Sequence, residues 1–80
     1  MRIHIEYCTE WNYYPKAKDL ADELRVDFDD MESFHFEPSH GGVFEVTVMD
    51  WNDNKKLVFS KKELGRFPEK GEVVEIIKRL

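Results

Sequence analysis

The chain holds a single sulfur nucleophile. Cys8 is the only cysteine, and it lies in Tyr7-Cys8-Thr9-Glu10-Trp11, where an alternating apolar strand gives way to an amphipathic helix. The thiolate attacks disulfides and peroxides, and an ordinary thiol (pKa about 8.5) is mostly protonated at neutral pH. Free N–H groups and the positive dipole end of a following helix favour the anion. Glu10 opposes that effect with its own charge, and Lys16 offsets it in part. Strand parity, carried one residue past Tyr7, places Cys8 on the polar side, open to solvent. The competing reading is an inert apolar residue, because free cysteine is among the most often buried types. On the residue pattern, Trp11 is an aromatic packed at the rim of the turn with Tyr13 or Tyr14.

The second candidate is Ser39-His40-Gly41-Gly42. Two adjacent glycines permit positive φ or close backbone approach to a ligand, or simply a tight connection. His4 and His35, with Glu6 and Glu37, fall on matching strand parities and could hold a metal. Such clusters arise often by chance, so a solvated polar face is expected and no metal site is assigned. Asp50-Trp51-Asn52-Asp53-Asn54 has the spacing of a calcium loop. It carries Lys55 where the sixth-position glycine is needed and Lys61 where the twelfth-position acid is needed, so it reads as a turn. Lys55, Lys56, Lys61, Lys62 and Arg66 form a basic edge, solvated or facing an acidic partner. Trp51, at a hairpin tip, could anchor a protein partner. No nucleotide-binding glycine loop or Ser/His/Asp arrangement is visible.

These groups must be held by one domain, residues 1–80, since 80 residues leave no room for a second. The net charge of −5, with acids and bases interspersed, gives no strongly basic face. Nucleic acid and anionic membranes are therefore not expected as partners. A single cysteine excludes an internal disulfide and suits a reducing, cytoplasmic setting. The N-terminus alternates instead of forming a signal-peptide core, and no apolar run approaches the roughly 18 residues of a membrane span. A soluble protein is expected.

Ile3, Ile5 and Tyr7 alternate with Arg2, His4 and Glu6 as a half-buried strand. Asn12 is placed to cap a helix with Pro15 in its first turn. Ala17, Leu20, Ala21, Leu24 and Phe28 form its apolar stripe, and Asp29-Asp30 breaks the pattern. A second strand through Phe34 and Phe36 stops at Pro38. Phe44, Val46 and Val48 mark a third, and Leu57, Val58 and Phe59 a fourth after the 51–54 turn. Lys61 to Pro68 reads as a basic loop, and Val73, Val74, Ile76, Ile77 and Leu80 as a closing helix with Lys78 and Arg79 in its last turn. The order β-α-β-β-β-α, with a parallel pair across the first helix, predicts a two-layer α/β domain. A four-stranded mixed sheet carries both helices on one face, a pared-down thioredoxin-like arrangement.

Tyr7-Cys8, Tyr14-Pro15-Lys16-Ala17, Pro38-Ser39 with Gly41-Gly42-Val43-Phe44-Glu45-Val46-Thr47-Val48, Lys56-Leu57-Val58-Phe59-Ser60-Lys61-Lys62 and Gly65-Arg66-Phe67-Pro68 occur in order across nearly the whole chain. Together they resemble the selenoprotein W-like (Rdx) family. The resemblance implies a small glutathione-linked thiol or selenol oxidoreductase, with glutathione or thiol proteins as partners and no bound cofactor. The family's active turn is Cys-x-x-Cys or Cys-x-x-selenocysteine, so Cys8 and position 11 are the implied redox pair. It also implies that Ser39, Gly41 and Gly42 meet the substrate backbone. Trp11 departs from the pattern. Either it stands for a selenocysteine, whose codon differs from that of tryptophan by one base, or it is native and the protein is a one-thiol or non-catalytic member. A redox-inactive interaction module, binding through the cysteine turn and the loops at Trp51 and Lys61, is the alternative from another class.

Overall fold

The computed structural model describes residues 1–29, 33–52 and 54–80. The expected helix breaker Asp30 and the turn residue Asp53 lie outside the described residues. The described residues form β1 (Arg2–Cys8), α1 (Tyr14–Asp27), β2 (Ser33–Ser39), β3 (Phe44–Met49), β4 (Lys55–Ser60), α2 (Lys61–Leu64) and α3 (Glu72–Lys78). The sheet order is β2-β1-β3-β4, with β1 parallel to β2 and antiparallel to β3, and β3 antiparallel to β4. The two-layer α/β arrangement holds, with one short helix added.

Alternation in the sequence becomes the division between two faces of the sheet. Ile3, Ile5, Phe44, Val46 and Val48 point inward and join Ala17, Leu20, Ala21 and Leu24 of α1 and Val73, Val74 and Ile77 of α3 in one buried cluster. Burial of a leucine- or valine-sized side chain is worth about 1.5–3 kcal/mol, so this shared cluster is what clamps both helices to one face. His4, Glu6, Glu45 and Thr47 point the other way and are half-buried.

Four local expectations are corrected. Asn12 does not cap α1: the helix begins at Tyr14, Tyr13 holds the cap position without a side-chain bond, and Asn12 takes φ +56°. Asparagine tolerates that left-handed conformation better than most residues. The helix ends at Asp27, so Phe28 packs on the core from the cap position, its N–H donating to the Leu24 carbonyl. Pro38 does not stop β2, which continues to Ser39. That strand lies at the sheet edge and bonds only β1, so a missing N–H on its outer side costs nothing.

Lys61–Leu64, read as loop, is a single helical turn. Ser60 Oγ accepts from the Glu63 N–H at 3.4 Å and donates to Glu45 Oε2 at 2.9 Å, and Gly65 closes the turn at φ +73°. The Ser60-x-x-Glu63 spacing is that of a capping box. On β4 the register jumps from Val46↔Phe59 to Thr47↔Leu57, leaving Val58 without a partner of its own. This bulge turns Val58, Phe59 and Ser60 inward in succession, where strict alternation would have exposed one of them. On either side of Asp53, the described residues show a turn, as expected: Asp50 N–H donates to the Asn54 carbonyl at 3.1 Å. Asp50 Oδ1 accepts from the N–H groups of Asn52 and Asn54 at 2.9 and 3.0 Å, and these bonds lower the Asp50 pKa.

Candidate functional site

Backbone hydrogen bonds stitch the end of β1 to the end of β2 and to the glycine turn. Cys8 pairs with Ser39 in the parallel register, and its N–H donates to the Val43 carbonyl at 3.0 Å. The Thr9 N–H and hydroxyl both donate to the Ser39 carbonyl, at 3.0 and 3.1 Å. The chain then doubles back: Asn12 N–H reaches the Thr9 carbonyl at 3.2 Å, and Tyr13 N–H the Cys8 carbonyl at 3.0 Å. Cys8, Ser39 and the 41–43 backbone, far apart in sequence, thereby form one end of the sheet.

Cys8 is fully buried, which overturns the expectation of a solvent-facing sulfur. Parity along β1 would have set it on the open face beside Glu6. The residue is instead the last of its strand, held between Ser39 and Val43 while the following turn folds back onto its own carbonyl. Cys8 therefore meets the start of α1 through its backbone oxygen. Lys16 Nζ lies 5.2 Å from the centre of the Phe67 ring, within cation–π range.

Trp11 is 61% exposed, yet its indole lies against Gly42 of the glycine turn. A Cβ on Gly42 would lie 2.4 Å from Cζ3 and 2.9 Å from Cε3 of that ring. Gly41 and Gly42 both adopt positive φ, +76° and +75°, and Gly41 has nothing against it. The implied substrate-binding backbone thus divides into an open half at Gly41 and a half covered by Trp11. The rim-aromatic reading of Trp11 holds, since its ring meets Tyr13 edge-on at 6.0 Å between centroids.

The ridge continues further than the residue pattern indicated. Tyr13 meets Phe67 at 4.6 Å, and Phe67 meets Phe44 at 5.3 Å. Lys61 Nζ lies over both Tyr13 and Phe67, at 5.6 and 5.4 Å, close enough for cation–π attraction. Below Phe67, a groove of about 270 Å³ runs between it and Leu20, edged by Lys16, Asp19, Glu23 and Lys70. Phe67 was missed because it sits in a segment read as a basic loop; its one sequence signal is Phe67-Pro68, an aromatic ahead of a helix. Trp51 stands at the opposite end of β3, 67% exposed.

On the open face His4 and His35 stand in register, with ring centroids 4.8 Å apart. Their expected adjacency is therefore present. Glu37 is hydrogen-bonded to His35, with Oε1 3.3 Å from Nε2. Among the described residues no helix is long and apolar enough to cross a membrane.

Comparison with known proteins agrees with this architecture. The chain is 32% identical over 81 residues to migration and invasion enhancer 1 of Bos taurus. That match covers 99% of this chain and spans 64% of the length of the relative. Among solved structures, a selenoprotein W-related protein from Vibrio cholerae superposes with a TM-score of 0.81 at 25% identity, covering 98% of this chain and 92% of the other. A protein from Bordetella parapertussis superposes at 0.80, also at 25% identity, over 98% of this chain and 94% of its own. The profile of the Rdx family matches residues 2–79. With a thioredoxin-like sheet, a cysteine at the end of its first strand and a family match over almost its whole length, this chain belongs to the Rdx family.

Proposed function

We propose that this chain is a thioredoxin-like redox protein that exchanges Cys8 with glutathione-linked disulfides, in a reducing cytosol and with glutathione or thiol proteins as partners. The observation that carries the reading is the stitching of the sulfur-bearing strand end to the backbone of Ser39–Val43. This sets a row of peptide groups against the strand end that carries Cys8, along which a disulfide substrate would lie.

In the forward step the Cys8 thiolate attacks one sulfur of oxidised glutathione. A Cys8–glutathione disulfide forms, and the second glutathione leaves as a thiolate that is protonated by water. A further glutathione thiolate attacks the glutathionyl sulfur, restores Cys8 and regenerates oxidised glutathione. Trp11 offers no second sulfur, so release depends on that external thiol. Because Cys8 is fully buried, attack requires the turn to open, and each 1.4 kcal/mol of opening free energy slows exchange about tenfold. Position 11, by contrast, is exposed. A selenium or sulfur there would be the attacking atom, with Cys8 as the resolving one.

The same burial favours a second reading, a redox-inactive interaction module presenting Trp11 and Trp51. Intact mass after incubation with oxidised glutathione at neutral pH separates the two, using the unfolded chain as a control. A glutathione adduct on folded protein, removed by reduced glutathione, supports exchange. If only the unfolded chain is modified, the redox reading is wrong for this chain and the module reading stands.

A further inference from the structure

We infer that the open face of the sheet carries a binding site for a divalent transition-metal ion of the Zn²⁺ class, formed by His4, His35 and Glu37. The site is separate from the cysteine turn and independent of the redox reading. Cys8 is four residues from His4 along β1, roughly 13 Å at strand rise.

The backbone sets the ligands. His4 and His35 are directly paired on parallel strands, and Glu37 follows His35 at the two-residue spacing that returns a side chain to the same face. One donor atom from each of the three lies within 4.8 Å of the others. Zinc takes nitrogen and oxygen ligands at about 2.0–2.1 Å, so two ligand atoms on a tetrahedral ion are separated by about 3.3 Å. The His35 Nε2 to Glu37 Oε1 distance is 3.3 Å. Two of the three donors thus already stand at the edge length of a zinc tetrahedron. His4 supplies the third donor, within 4.8 Å of the other two.

The surrounding charge is mixed: Arg2, two residues before His4 on the same face, and Lys55, which lines a hollow with His4 and Glu6, are basic, while the carboxylates lie on the other side of the histidines. Glu6 is in register with Glu37 on one side and with Glu45 on the other, which puts three carboxylates in a row across β2, β1 and β3. Like charges directly opposite on a sheet destabilise it, and a bound cation relieves that repulsion. Ser60 Oγ engages Glu45, whereas Glu6 lies beside the histidines and can neutralise the second charge of the ion. Two imidazoles with one carboxylate select a borderline metal over Ca²⁺ or Mg²⁺, which prefer all-oxygen sets. Three protein ligands leave the fourth position to water or to Glu6.

The test is Zn²⁺ titration of the full chain, followed by calorimetry and by the side-chain imidazole resonances. One equivalent is expected to bind and to shift His4 and His35 together. His40, exposed in the glycine turn, should not move. His35→Gln and Glu37→Gln should each weaken binding at least tenfold, and His40→Gln should leave it unchanged. His35 and Glu37 are exposed, so these variants keep the fold, which circular dichroism verifies. Absence of binding at millimolar Zn²⁺, a shift of His40 equal to that of His4, or unaltered affinity in His35→Gln would each overturn the site.

Discussion

Replacing Gly42 with alanine tests the contact that most constrains the glycine turn. At φ +75° a Cβ costs about 1–2 kcal/mol of left-handed strain. It would also lie 2.4 Å from the Trp11 ring, closer than any real contact allows, so the indole must leave. That displacement is cheap, because the ring is already 61% exposed and loses little buried area. Gly41→Ala is the matched control: its φ is +76°, but nothing lies near its Cβ. Both variants should lose about 1–2 kcal/mol in urea denaturation, and about 4–16 °C in Tm for a domain of this size. Only Gly42→Ala should red-shift the emission of Trp11, read in a Trp51→Phe background. If Gly42→Ala leaves that emission unaltered while Gly41→Ala destabilises equally, the indole does not rest on the glycine turn. The division of that backbone into open and covered halves would then be wrong.

Three further outcomes are expected. Arg66 grips Glu72 with two bonds of 2.7 and 2.8 Å, and with the Glu69 N–H this holds the Glu72 pKa down to about 2. A lowered folded-state value stabilises above the unfolded value of about 4.5 and is lost as pH falls toward 2. The full shift corresponds to about 3 kcal/mol, reduced by screening to about 1–2 kcal/mol because the Glu72 side chain is 23% exposed. Urea midpoints of wild type and Glu72→Gln should therefore differ at pH 7 and converge by pH 2; a constant gap would contradict the pairing. Ser60→Ala removes the cap of α2 and the partner of Glu45, and should cost about 1–2 kcal/mol by chemical denaturation. Trp11→Cys creates a Cys-x-x-Cys turn that should lose two hydrogens on mild oxidation and regain them with dithiothreitol. Accumulation of mixed disulfides alone would show that positions 8 and 11 do not meet.

Where burial is periodic, the elements were legible in the chain. Ile3 and Ile5, then Phe44, Val46 and Val48, are spaced by two because alternate strand residues share a face. Ala17, Leu20, Ala21 and Leu24 are spaced by three and four because a helix returns to one side. Two-layer packing follows, since these apolar stripes can be covered only by one another. The one-turn helix at Lys61 was not legible from periodicity: four residues contain no repeat, and only the Ser60–Glu63 cap marked it. Strict alternation failed on β4, where one bulge reverses the parity of everything after it.

What the residues alone determined was therefore the fold class, the location of the only thiol at the end of the first strand and the family to which the chain belongs. Only the tertiary structure decided that the thiol is enclosed, because its burial depends on Ser39 and Val43 arriving from more than thirty residues away. It likewise decided that Trp11 lies on Gly42 and that His4 stands beside His35 and Glu37. Parity assigns a side chain to a face, but neighbours across strands are set by register. Register exists only once the sheet has assembled.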